Sequence, residues 1–232
     1  MDRLAEGMLW YVVFIFSTTC HEAAHALAAL KLGDRTAYEG GQVTLDPRPH
    51  IQREPVGTVI VPILSFLMGG WMIGWASAPY DPYWALRHPK RSALMAFSGP
   101  LTNLTLVLLA FLAIRIGIAA DVFYAPDSIS FSQVTAAVNT GVWIPIARLL
   151  SIFFSLNLIL CVFNLLPLPP LDGSGVVPIL LEDSMAREYL NFIHNPSFMF
   201  IGLFLAWQVF GPVFRPIHLF AINLLYPGMG YH

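Results

Sequence analysis

The 232-residue chain is 56% hydrophobic and 11% charged, with a net charge of −2 at neutral pH and a mean hydropathy of +0.66. Ordinary globular domains carry about 25% charged residues, so the composition points to an integral membrane protein; the near-neutral balance excludes a basic nucleic-acid surface. Its two cysteines, Cys20 and Cys161, both sit in apolar runs and supply neither a disulfide framework nor a zinc knuckle.

Residues 8–30 form the first apolar run. Ahead of it, Met1-Asp2-Arg3-Leu4-Ala5-Glu6 has one basic and two acidic side chains, and no small-residue cleavage site follows, so a retained first span is expected rather than a signal peptide. Inside the run lies His21-Glu22-Ala23-Ala24-His25. Ionisable groups are costly in hydrocarbon and usually face a bundle interior or a watery cavity. On a helix, residues four apart share a face, so His21 and His25 can hold one metal ion while Glu22 points at a metal-bound water. Cys20 points about 100° away from its neighbour His21 and reads as a packed thiol.

Residues 55–80 are uncharged but interrupted by Pro62, Gly69-Gly70 and Gly74; residues 92–114 and 149–171 are cleaner runs, the latter bounded by Arg148 and Asp172. Each is long enough to span, given the roughly 20 residues needed. Residues 196–214 make a fifth apolar element, 216–226 are too short to span alone, and 182–188 suit a polar helix at the water interface. The fold class expected is an all-α multi-span membrane protein with about four to six membrane segments and a re-entrant or β-rich membrane-associated segment after the first span.

Charge sets the topology. Lys31, Arg35, Arg48, Arg53, Arg87, Lys90 and Arg91 flank the second run on both sides, whereas the loop 117–142 has no basic residue and contains Asp121 and Asp127. The positive-inside tendency puts both flanks in the cytoplasm and that loop outside. One crossing cannot leave both its ends on one side, so 55–80 is expected to be a re-entrant hairpin turning near Gly69-Gly70. A simple span with imperfect charge bias is the alternative. Non-helical backbone at membrane depth must be covered by protein or line a cavity. With the hairpin, His25 and Asp172 both fall toward the cytoplasmic side and can meet.

A zinc site that leaves one position for water needs a third protein ligand. Asp172 is the candidate: Pro167, Pro169 and Pro170 before it break the helix. Alternatively, Asp172 only caps the helix that follows. His50, His88, His194, His218 and His232 lack ligand spacing and read as loop or interface residues. Trp10, Trp71, Trp75 and Tyr80 read as interface anchors and packing.

The chain resembles the site-2 protease family of intramembrane zinc metalloproteases. The resemblance rests on His21-Glu22-Ala23-Ala24-His25, on Asn164 through Leu171-Asp172-Gly173, and on Gly99-Pro100-Leu101-Thr102-Asn103. Residues 41–50 and 55–58 are similar to the loop and strand region of compact bacterial members. The resemblance covers about residues 8–180. It implies one zinc ion per chain held by His21, His25 and Asp172, with Glu22 as base. Asn164 either contacts substrate or oxyanion or caps an irregular helix end, and Asn103 ties helices together. Gly173-Ser174-Gly175 departs from relatives that carry Gly-Arg after the motif, and no PDZ-like domain is expected.

The expected protein is thus a single domain over 1–232, with a catalytic core at about 8–180 and a C-terminal membrane-associated region at 181–232. Its expected activity is zinc-dependent endopeptidase cleavage of membrane proteins or peptides in or near transmembrane segments. The partners are that substrate and the lipid bilayer, with no nucleic acid; oligomeric state is left open. The expected location is the plasma or inner membrane, multi-pass, with the active site toward the cytoplasm. An extended substrate is expected to pair with an edge in 41–45 or 55–80. The alternative is a metal-ion transporter or metal-binding membrane protein, a class that typically shows repeated halves; none is evident. A catalytically dead scaffold would have lost Glu22 or a ligand.

Overall fold

The computed structural model describes residues 2–232; Met1, the first residue of the expected domain, lies outside them. Helix α1 (Arg3–Leu32) opens on Asp2, whose carboxylate accepts from the Ala5 N–H at 2.7 Å. It closes at Gly33, whose φ of 109° suits only glycine well. After α2 (Thr36–Glu39) and α3 (Pro47–Arg53), the chain bends by 111° into a π-helical turn, Val56–Ile60, and α4 (Val61–Gly69). Gly70, at φ 75°, ends α4, and residues 71–80 return without regular structure.

The return limb lies against the helix it left. Ser65 Oγ accepts from Ile73 N at 3.0 Å, Trp75 N donates to the Gly57 carbonyl at 3.1 Å, and Ser77 Oγ donates to Glu54 Oε1 at 2.6 Å. The two ends of 55–80 therefore meet. The tip rests beside the start of α1, where Arg3 Nη2 donates to the Leu67 carbonyl at 2.5 Å. The segment is a hairpin turning at Gly69-Gly70, the shape expected of a re-entrant segment. Two glycines permit it: a Cβ on Gly57 would lie 2.3 Å from the Trp75 carbonyl, and one on Gly74 would lie 2.2 Å from the Gly57 carbonyl.

The strands expected in 41–58 are not formed. Residues 41–45 make a turn and bend, and residues 55–69 are helical. Pro55 and Pro62 lack the N–H that a strand ladder needs, and the run lacks the polar–apolar alternation of a half-buried strand. Among the described residues the only sheet pairs β1 (Phe123–Tyr124) with β2 (Ala136–Ala137), in the 117–142 loop.

Helix α5 (Pro82–Arg87), capped by Asp81, leads into α6 (Pro89–Ala119), and β1–β2 into α7 (Trp143–Asn164). Helix α7 starts a turn and more before its expected bound because Arg148 can donate to Ser132 O and Oγ. It stops before the prolines. The short α8 (Asp172–Val176), a 3₁₀ turn at Val177–Leu180 and the amphipathic α9 (Asp183–Ile193) precede α10 (Pro196–Leu225). The separate elements expected at 196–214 and 216–226 are one helix through Pro212 and Pro216. Prolines are tolerated in apolar helices where neighbours and local adjustment satisfy the freed carbonyls.

Four helices, α1, α6, α7 and α10, are long and apolar enough to cross a membrane. They alternate in direction. Arg91 at the start of α6 donates to Leu32 O at the end of α1, and Arg115 near the end of α6 donates to Leu225 O at the end of α10. Trp10 and Phe14 pack with Phe66, Ile152 and Leu156 in one core cluster, which joins α1, α4 and α7. Outward-facing Leu108, Leu109, Phe204 and Trp207 remain exposed, as lipid-facing residues do. Lys90 Nζ binds the carbonyls of Pro178, Ile179 and Leu181, so the segment after Asp172 is tied to the start of α6.

Candidate metal centre

His21 and His25 lie on one face of α1, eleven and seven residues before Leu32, or roughly 10–17 Å inside the helix end. Asp172 reaches them because the chain reverses after α7. Leu168 N bonds Leu166 O at 2.8 Å and Leu171 N bonds Leu168 O at 2.9 Å. Gly173 closes the reversal, since a Cβ there would lie 2.3 Å from Leu165 O. The N-cap of α8 is Leu171, not Asp172; the Asp172 carboxylate faces the imidazoles.

The three ligand atoms form a small triangle. His21 Nε2 is 3.0 Å from His25 Nε2 and 3.0 Å from Asp172 Oδ2, and His25 Nε2 is 3.3 Å from that oxygen. Zinc bonds of 2.0–2.2 Å give tetrahedral edges of about 3.3–3.6 Å, so the triangle is slightly tighter than one tetrahedral face. His21 and His25 are 6% and 7% exposed. A carboxylate that ligates a metal must be ionised.

The ring tautomers follow from a buried amide chain. The Phe153 carbonyl can only accept, so Asn157 presents Nδ2 to it at 2.9 Å and turns Oδ1 toward Asn103. Asn103 donates Nδ2 to that oxygen at 2.8 Å and turns its own Oδ1 to His21 Nδ1 at 2.5 Å. Nδ1 of His21 must then carry the hydrogen. His25 Nδ1 likewise faces the Met95 carbonyl at 2.8 Å. Both Nε2 lone pairs thus converge with a carboxylate oxygen, three acceptors that a cation reconciles. The site fits a zinc ion.

Space for the ion is kept by Gly99 on α6. A Cβ there would lie 2.4 Å from His25 Nε2 and 2.5 Å from His21 Nε2. Glu22, 7% exposed, opens with His25 and Asp172 into a cavity of about 230 Å3. Asn164, at the last turn of α7, donates Nδ2 to the Leu160 carbonyl at 3.0 Å and is not part of the cavity wall. Cys20 and Cys161 stand outside the ligand group.

Three contributors were not legible as site residues. Asn157 was signalled only as one of two amides inside the apolar run 149–171. Tyr80 and His194, read as an interface anchor and a loop residue, both line the cavity, with Tyr80 Oη 2.8 Å from His194 Nε2. Both lie far from the ligand motifs in sequence, and only the hairpin and the α9–α10 elbow bring them there.

The sequence model of peptidase family M50 matches residues 9–208, a stretch that holds all three candidate ligands, Glu22 and the Gly99–Asn103 pattern. The chain belongs to peptidase family M50. The match extends past the resemblance read from 8–180, into α10. The chain is 31% identical to the protein named "Putative zinc metalloprotease YwhC" of Bacillus subtilis, over 83% of this chain and 78% of that one. It is 30% identical to "Putative zinc metalloprotease Rip2" of Mycobacterium tuberculosis, over 88% of this chain and 70% of that one. No solved structure matches it.

Proposed function

We propose that the protein is a zinc-dependent endopeptidase that cuts membrane-protein segments within or beside the bilayer. The observation that carries the reading is the convergence of three acceptor atoms, from His21, His25 and Asp172, with Glu22, His25 and Asp172 opening into one cavity between apolar helices. The names of the relatives agree with zinc metalloprotease activity.

His21, His25 and Asp172 would hold the ion, which when bound supplies a Lewis acid and brings the pKa of water toward 7. Glu22 does the proton work: its carboxylate accepts the proton of the attacking water and returns it to the leaving amine. Asn103 and Met95 O keep the imidazoles in the ligating tautomer. The apolar helices around the cavity limit water and strengthen each charge interaction there.

The same reading gives location and substrate. Lys31, Arg35, Arg48, Arg53, Arg87, Lys90 and Arg91 lie at the end of the bundle nearer the metal centre, which favours a plasma- or inner-membrane protein with its active site toward the cytoplasm. A substrate helix must unwind to offer its amides to so small a cavity. Reconstitution with labelled single-span proteins tests the reading: cleavage abolished by a chelator and restored by zinc is the expected result. Zinc uptake into the vesicles without cleavage would instead identify a transporter.

A further inference from the structure

Tyr80 and His194 form a second polar pair in the wall of the metal-site cavity. They arrive from unconnected elements, Tyr80 from the end of the return limb and His194 from the elbow between α9 and α10. A cavity of about 230 Å3 is roughly 8 Å across if round, small beside ordinary ligand pockets. A peptide unit placed against His25 and Asp172 therefore comes within reach of the opposite wall.

Two of the other three hydroxyls in that wall are committed, and Ser92 supplies the third. Ser77 donates to Glu54 Oε1 and Ser174 donates to the Leu171 carbonyl. Asn164, for which an oxyanion contact and a helix-end cap were both open, donates to the Leu160 carbonyl. Tyr80 differs because its one partner can act in either sense. When His194 Nε2–H donates to the phenol oxygen, the Tyr80 O–H is free to donate into the cavity.

Resting on the peptidase reading above, we propose that Tyr80 is a further catalytic residue. Its hydroxyl donates a hydrogen bond to the scissile carbonyl oxygen as negative charge develops there, and His194 positions it. No proton is transferred; the phenol keeps its hydrogen throughout. Burial, and then the negative Asp172, raise the Tyr80 phenol, while burial lowers His194. Both shifts keep the pair neutral at physiological pH, the state in which this arrangement works.

The test uses the full chain in proteoliposomes, with Tyr80→Phe, His194→Gln and Glu22→Gln. Zinc content, kcat, KM and the affinity of a peptide phosphonamidate, a tetrahedral mimic, are read for each. Removing one oxyanion donor lowers kcat by about 10²–10³-fold. Tyr80→Phe is expected to show a loss on that scale, with weaker phosphonamidate binding, unchanged zinc and little change in KM. His194→Gln, which keeps an N–H donor, is expected to lose less. Wild-type kcat and phosphonamidate affinity in Tyr80→Phe would overturn the proposal while leaving Glu22-dependent cleavage intact. Parallel loss of zinc and activity in Tyr80→Phe would also overturn it, because Tyr80 would then be scaffold. Wild-type protein with no Glu22-dependent cleavage would overturn the peptidase reading and the proposal together.

Discussion

Asn103 Oδ1 lies 2.5 Å from His21 Nδ1, and the Asn103 amide is itself oriented by Asn157 on the facing helix. The link ties α6 and α7 to the tautomer of a metal ligand on α1. Outer-shell partners of this kind typically contribute 10–100-fold in metal affinity. Asn103→Ala is therefore expected to bind zinc about 10–100-fold more weakly, measured by competition with a calibrated chelator. Unchanged affinity would mean that the amide only joins helices.

Gly99 tests the space reserved for the ion. A Cβ at that position would fall within 2.5 Å of both Nε2 atoms, so Gly99→Ala must push a ligand aside or exclude the metal. The expected result is loss of stoichiometric zinc, read by elemental analysis, in a protein that still folds as a helical bundle. Full zinc loading would contradict the close packing of α6 against the site.

Sequence reading went furthest where chemistry and hydrophobicity coincide. His21, Glu22 and His25 stood out as charge-capable groups in an apolar run, and Asp172 stood out as the residue ending another. The hairpin at 55–80 was legible from basic residues on both its sides. Its internal form was legible only in part: Pro55, Pro62 and the missing polar–apolar alternation weigh against the strands that the resemblance implied. Tyr80 and His194 were hidden. Two ordinary-looking side chains become a pair only once the return limb and the α9–α10 elbow are in place.

The hairpin makes its own demand. Gly57 and Gly74 bring the α4 segment and the return limb within van der Waals contact. Overpacking typically costs about 1–3 kcal/mol, and contact with backbone leaves little room to relax. Gly57→Ala is expected to lower thermal stability by at least that amount, followed by unfolding in detergent. A neutral effect would show that the limb moves freely.

Asp34 gives a pH dependence outside the spans. It accepts from Thr36 N at 2.9 Å, Thr36 Oγ1 at 2.6 Å and Asp81 N at 2.8 Å, joining the end of α1 to the end of the hairpin. Burial acts to raise its carboxyl, but these donors outweigh it and the net shift is downward. The folded state thus binds this proton less readily than the unfolded state. The stabilisation is full above the ordinary carboxylate value of about 3.9 and is lost as pH falls through the folded one. Asp34→Asn is expected to flatten the acid limb of a stability–pH curve; an unaltered limb would remove Asp34 from the account.

The central claim is that Glu22 is the base and not a ligand, beside a zinc ion held by His21, His25 and Asp172. General acid–base groups contribute typically 10²–10⁴-fold. The most direct measurement is zinc stoichiometry and single-turnover cleavage in Glu22→Gln, side by side with wild type. One zinc per chain, with cleavage slowed by at least about 10²-fold, is the result expected. Wild-type cleavage by a zinc-loaded Glu22→Gln protein would contradict it.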